Sequence, residues 1–385
     1  MEDPLAQPPP TPHTAPVPSP AGKGKSASKL SRRARTTYRV LVLLHDHLLP
    51  PAPTPAETPE LAPIDAALLP YQAELDVLTT LRASGHDVAV LPLASDLAAI
   101  EKAVAEHKPQ VAFNLIEAFN NYRSFDQHIV GYLECLGVRY TGCNPRGLVL
   151  ARDKALTKKI LAYHRVRVPA FHVFEFGRKI TLPRNLAFPL LVKSATDDGS
   201  VGITKASVVH THADLRDRIA AIHDLSRTDA IAEQFIEGRE LYLGVYGNRV
   251  AHTLPAWELD LSRLPEGSPK IVTERMKRSL AYQKKYNIDS GPANLTDAEH
   301  RALHALGRRV YHLLNLSGYA RLDLRMTPPT AATPSELYLI EANPNPQIAQ
   351  HEDFARSAAA AKIPYSTLLD KLLSLGASYR PVGIA

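Results

Sequence analysis

The sequence predicts an α/β protein built from several lobes, and three observations carry that expectation. Short apolar, β-branched runs alternate with helix-length stretches between residue 39 and about residue 115, the pattern of a parallel sheet with crossover helices. Gly142 with Pro145, and later Pro169, punctuate the chain where this alternation gives way to new strands. At 385 residues, 45% of them hydrophobic, the chain can bury cores for two or three domains in one body.

Residues 1 to about 36 are rich in Pro, Ala, Ser and Lys and nearly free of large hydrophobes, so burial cannot offset their ordering entropy and a disordered tail is expected. Arg39-Val-Leu-Val-Leu-Leu44 reads as a buried first strand, ending at the polar His45-Asp46-His47. After a proline-rich stretch near 50–63, helical spacing covers Tyr71 to Ser84, and Val88–Leu91 and Val111–Leu115 read as two further strands of the same sheet. A helix is expected from near Arg152 and a strand over Phe171–Phe176. Phe188–Lys193 is strand-like and runs into Asp197-Asp-Gly-Ser-Val-Gly202, followed by a helix near Asp214–Leu225 and a strand over Ala230–Phe235. Strands over Leu241–Tyr246, Tyr319–Met326 and Glu336–Asn343 and a long helix over Asp297–Leu316 complete the reading.

The formal charge is +6, of which Lys23, Lys25, Lys29, Arg32, Arg33 and Arg35, offset by Glu2 and Asp3, supply +4. The body is therefore close to neutral and lacks the basic footprint of a nucleic-acid-binding domain; nucleic acid is not an expected partner. Two cysteines, Cys135 and Cys143, are too few for a disulfide framework and point to a reducing cytoplasm. Cys135 lies inside the apolar run Tyr132–Val138 and reads as a core residue. With no apolar stretch long enough to span a bilayer and no secretory h-region, a soluble cytoplasmic protein is expected.

Chemistry concentrates in three places. In Arg321-Leu-Asp-Leu-Arg325 polar and apolar residues alternate, so Arg321 and Asp323 share one strand face; in Leu337-Tyr-Leu-Ile-Glu-Ala-Asn343, Glu341 and Asn343 do the same. If the two strands pair, two carboxylates and an amide oxygen converge into a hard-ligand set for Mg2+ or Mn2+, beside an arginine suited to developing negative charge. A hairpin with a solvated charged face is the alternative. Lys193 precedes the small residues Gly199, Ser200 and Gly202, which would let backbone N–H groups approach phosphates, although such a loop is also an ordinary turn. Glu233-Gln-Phe-Ile236 with Glu240 links two apolar runs and could read adenine through the backbone and ribose through Glu240, or be a plain hinge. Lys154 and Lys158, one helical turn apart, taken alone read as a solvated helix face, and Lys277 is equally open.

Taken in order, these features resemble the ATP-grasp superfamily and, within it, the D-alanine–D-alanine ligase branch. The resemblance rests on Tyr140-Thr-Gly142, Asp153-Lys154 with Thr157-Lys158, Val192-Lys193 with Gly199–Gly202, Glu233–Ile236 with Glu240, Arg321-x-Asp323 and Glu341-x-Asn343-Pro, and covers about residues 38–376. It implies a Rossmann-like N-terminal domain over 37–148, a central ATP-grasp lobe over 149–236 and a C-terminal lobe over 237–376, with ATP clasped between the last two and a short tail from 377. It implies that Lys154, Lys193 and Ser200, with Lys277, hold ATP phosphates, and that Glu233, Ile236 and Glu240 hold adenine and ribose. It further implies that Asp323, Glu341 and Asn343 bind magnesium and that Arg321 serves catalysis. The activity implied is an ATP-dependent carboxylate–amine ligation through an acyl phosphate, on small-molecule substrates such as amino acids or short peptides, by a homodimer.

The resemblance thins at the substrate pockets. The Gly-Gly-x-Ser-x-Glu signature expected after the first strand is replaced by Leu44–Pro50, the His-Gly element after the third strand by Ile116-Glu-Ala118, and a family glycine by Gln347. Nine residues beyond Asn343, where those ligases carry a serine, stands Glu352. Either the amino-acid substrates differ, with a cationic acceptor one option, or Glu352 is a surface residue. Two other functions share these features: an inactive ATP-binding regulator and a kinase-like phosphotransferase.

Overall fold

The computed structural model describes residues 36–51, 69–183, 186–197 and 199–381. The tail expected over 1–36 falls outside them except for Thr36, as does most of the proline-rich stretch near 50–63.

The N-terminal sheet forms as its apolar runs dictate. β1 (Arg39–His45), whose five central residues are buried, lies between β2 (Asp87–Leu93) and β3 (Val111–Asn114), all parallel. α1 (Gln72–Ala83) and α2 (Ala98–His107) make the crossovers, and α3 (Asp126–Cys135) follows. β1 sheds its two faces into different cores: Leu41 and Leu43 into one, Val40, Val42 and Leu44 into another, the period-2 alternation of a strand covered on both sides.

Next comes a helix pair. α4 (Pro145–Arg152) starts seven residues before the expected helix at Arg152, because the Asn144 side chain caps the Gly147 N–H and Pro145 takes the first helical position. It therefore straddles the expected domain boundary at 148/149. α5 (Lys154–Tyr163) is capped by Asp153, which accepts from Leu156 N.

The central lobe is an antiparallel sheet in the order β4 (Phe171–Phe174), β7 (Ala230–Gln234), β5 (Leu190–Ser194), β6 (Val208–Val209). One face is covered by α6 (His212–Ser226) through Leu215, Ile219 and Ile222. Gly238, at φ 144°, turns the chain out of this lobe; a Cβ there would stand 2.1 Å from Met326 O, so only glycine fits.

The largest sheet is antiparallel, in the order β11 (Ser290–Pro292), β10 (Trp257–Leu259), β8 (Arg239–Gly247), β12 (Gly318–Met326), β13 (Leu337–Pro344), with β9 (Ala251–Thr253) also on β8. α7 (Glu274–Arg278) and α8 (Leu280–Tyr286) precede β11. α9 (Asp297–Leu313), begun by a Thr296/Glu299 capping box, packs on the sheet; α10 (Asp353–Ala360) and α11 (Tyr365–Ser378) close the fold. α11 runs past the expected lobe end at 376.

Cys135 is exposed, contrary to expectation. α3 buries Asp126, Ile129, Val130 and Leu133, and Cys135, two residues beyond Leu133, points to the opposite side of a 3.6-residue turn. Among the described residues no helix is long and apolar enough to cross a membrane.

Candidate functional site

β12 and β13 do pair, and their register sets the centre of the site: Asp323 lies opposite Glu341, and Arg321 opposite Asn343. A bulge after Asp323 displaces the ladder there and ends the regular alternation at the point where the carboxylates meet. β8 lies on the other side of β12 and places Tyr242 opposite Asp323 and Glu240 opposite Arg325.

Arg321 grips Asp323 with both forks, Nε to Oδ1 at 2.7 Å and NH2 to Oδ2 at 3.0 Å, while its guanidinium stacks 4.7 Å above the Tyr242 ring. Burial pushes the Asp323 carboxyl up, against the pull of Arg321, and the neighbouring Glu341 charge raises it further. Cross-strand carboxylates repel, and the arginine makes that juxtaposition tolerable. Burial also disfavours the Arg321 cation, but Asp323 more than offsets this and the group stays firmly protonated.

Glu341 has different neighbours. Its Oε1 lies 2.8 Å from the Lys154 ammonium, which also donates to the Asp197 carbonyl at 2.6 Å. Burial alone would raise the Glu341 carboxyl; Lys154, then Lys193 and Lys277, outweigh it and bring it down to about 2. Beside it, the Asn343 Nδ2 is buried with no hydrogen-bond partner, so the amide is not consumed by the fold.

The lysines are not on a solvated face. Lys154 and Lys158 are 3% and 1% exposed, because α5 packs its lysine edge beneath β7 and β13. Glu233 is shared: Oε1 lies 2.9 Å from Lys158 and Oε2 lies 3.3 Å from Lys193. Burial raises this carboxyl, but the two ammonium groups together hold it below its ordinary value. Along the link after Glu233, the Gln234 and Phe235 N–H groups donate to Ala170 and Pro189 carbonyls, while the Ile236 N–H has no partner among the described residues. Glu240 accepts from Arg325 at 2.6 Å and from the Tyr242 hydroxyl at 3.0 Å.

These residues, apart from Lys154 and Lys158, which line neither, wall two adjoining cavities. The first, a narrow cleft of about 90 Å³, is lined by Lys193, Ser200, Glu233, Ile236, Glu240 and Lys277, among others. The second is lined by Glu117, Arg123, Arg152, Arg321 and Asn343, with Ile116, Gly199 and Gln347. Lys277, Asp323 and Glu341 belong to both walls. Ser200 sits at φ 61° in the turn after β5. Of the residues singled out from sequence, Glu352 is outside: it precedes α10, is half-exposed, lies 3.7 Å from His351, and lines neither cavity.

Sequence reasoning missed Arg325 and Tyr242. Arg325 continues the alternating Arg321, Asp323 series and could have been found by extending it two residues. Tyr242 had no such signal, since its role comes from the β8–β12 register.

No cluster of three His, Cys, Asp or Glu side chains suited to a metal occurs among the described residues. The Asp323, Glu341 and Asn343 set nonetheless fits a magnesium ion that draws its remaining ligands from phosphate and water. Arg321 occupies one lone pair of each Asp323 oxygen and leaves the other, and the Asn343 amide is uncommitted.

A family model described as "D-ala D-ala ligase C-terminus" matches residues 166–374. A D-alanine–D-alanine ligase of Bordetella petrii is 31% identical over 255 residues, spanning 65% of this chain and 71% of its own. One from Desulfotalea psychrophila is 31% identical over 258 residues, spanning 65% and 74%. Among solved structures, the Bacillus anthracis D-alanine–D-alanine ligase complexed with ATP is similar in fold, with a TM-score of 0.65 at 19% identity over 89% of this chain and 97% of that one.

Proposed function

The chain belongs to the D-alanine–D-alanine ligase family of ATP-dependent, ADP-forming C–N ligases, and from that premise we propose that it retains the family's nucleotide machinery while joining substrates other than two D-alanines. The observation that carries the reading is the shared wall: Lys277, Asp323 and Glu341 border both cavities, so a phosphate held on one side meets a carboxylate entering from the other. Support for altered substrates comes from Ile116, Glu117 and Gln347, which line the second cavity at positions where the family pattern is replaced.

In this reading the Ile236 amide and Glu240 receive adenine and ribose, and Lys154, Lys193, Ser200 and Lys277 neutralise the phosphates. Asp323, Glu341 and Asn343 hold magnesium, which when bound supplies Lewis-acid neutralisation of the phosphate oxygens. A substrate carboxylate oxygen attacks the γ-phosphorus; the bond to the β–γ bridging oxygen breaks and ADP leaves. The amine nitrogen then attacks the acyl carbon, a C–N bond forms, phosphate departs and the nitrogen loses a proton. Arg321 faces both negative species, and no protein nucleophile is needed. The Gly199–Gly202 segment, which puts Ser200 in the wall of one cavity and Gly199 in that of the other, would exclude water from the acyl phosphate.

ADP release tests this, measured with D-alanine and with a panel of other amino acids and dipeptides, each with and without an amine acceptor. Amine-dependent release with a substrate other than D-alanine is expected. Rapid D-alanyl-D-alanine formation would overturn the substrate reading, and amine-independent release would indicate a phosphotransferase instead.

A further inference from the structure

We infer that Lys158 is a positioning residue for nucleotide binding, acting through Glu233 on Lys193. This rests on the nucleotide cleft proposed above.

Lys158 lines neither cavity, yet it is among the most deeply buried large side chains in the protein. Its ammonium lies 2.9 Å from Glu233 Oε1 and donates to Ile340 O at 2.7 Å. Burying an ammonium is costly unless it is paired and hydrogen-bonded, and burial drives this one's pKa down, with Glu233 opposing. Both partners abut the candidate site. Ile340 is the residue before Glu341, and Glu233 reaches Lys193 with its other oxygen.

The geometry of that sharing is what matters. Lys158 lies against Oε1 at 2.9 Å as an ion pair, although Oε1 accepts no aligned hydrogen bond, and Glu233 reaches Lys193 through Oε2, at a looser 3.3 Å. The Lys193 ammonium, in the wall of the nucleotide cleft, is oriented but not fully engaged, leaving donors for phosphate. Without Lys158, a buried carboxylate would have Lys193 as its sole ammonium and would draw it into a closer pair, away from the cleft. The Ile340 carbonyl, accepting from Lys158 at 2.7 Å, holds that ammonium in place against Glu233.

The experiment is calorimetric titration of the full chain with MgADP. Lys158→Met is expected to weaken MgADP binding about tenfold, a coupling typical of residues sharing one charged network. In a Glu233→Gln background, with no buried carboxylate to recapture Lys193, the same change should alter affinity by less than about twofold. Should Lys158→Met not fold, Lys158→Gln, which keeps a donor for Ile340 O, carries the same two expectations. Unchanged affinity with only a lower melting temperature would overturn the inference, as would a full tenfold loss that persists in the Glu233→Gln background. Failure of the unsubstituted protein to bind MgADP would instead refute the cleft.

Discussion

Replacing Glu341 by glutamine gives a stability difference that the structure specifies in both size and pH dependence. Glutamine has nearly the shape of the protonated acid, so the substitution imposes the neutral state on a carboxyl whose pKa falls from 4.5 to about 2, held down by Lys154, Lys193 and Lys277 against the cost of burial. At about 1.4 kcal/mol per pKa unit this amounts to about 3 kcal/mol. The Glu341 side chain is 20% exposed and Lys154 only 3%, so solvent screening reduces the figure little. A depressed carboxyl pKa contributes stability that is complete above the unfolded value and is lost as pH falls toward the folded one. The gap between the two proteins should thus be about 3 kcal/mol near neutral pH and about 2 kcal/mol near pH 3.5, since unfolding there is already favoured by protonation of the free carboxyl. Urea unfolding followed by the fluorescence of Trp257, the single tryptophan, buried in the largest sheet, reads both values. Equal midpoints near neutral pH, or a gap that does not shrink on acidification, would refute the assigned lysine–carboxylate network.

Three further outcomes are expected. Arg321→Lys loses the two-pronged contact with Asp323 and the planar charge, and should lower kcat by about 10²–10³ while leaving the KM for ATP within about threefold; a proportionate loss in ATP affinity would place Arg321 elsewhere in the reaction. Asn343→Ala should raise the magnesium concentration for half-maximal ADP release at least about tenfold, since even groups that only orient metal ligands have effects of that size. In the native protein one thiol should react with a maleimide and two after unfolding, because Cys135 is exposed whereas Cys143 is buried and its pKa is pushed up to about 12 by burial; two fast-reacting thiols in the folded state would contradict the packing.

The residues of the site were largely legible because their spacing encodes faces. Arg321 and Asp323, and Glu341 and Asn343, are two apart on strands, and period-2 geometry puts each pair on one side whatever the surroundings. Helices begun by marked caps, such as Thr296 before α9, are legible for the same local reason, whereas α4 begins earlier than its apolar spacing suggests because Asn144-Pro145 forms its cap. Cys135 was misread because an apolar run does not reveal which side of a helix faces the core. The lysines behaved differently. Lys154 and Lys158, one turn apart, look like any solvated face until α5 is laid beneath β7 and β13, where Glu233 and Glu341 come from strands 75 and more residues away.

Local periodicity and the order of short motifs are properties of consecutive residues, and from them the sequence alone determined the α/β class, the kinship with ATP-dependent ligases and which side chains point together. Only the tertiary structure decided what those side chains meet. The register of β12 between β8 and β13 sets Asp323 against both Tyr242 and Glu341, and the packing of α5 converts ordinary lysines into buried ions. The physical reason is that charge burial and pairing depend on distance through space, which chain spacing leaves open until the lobes are joined.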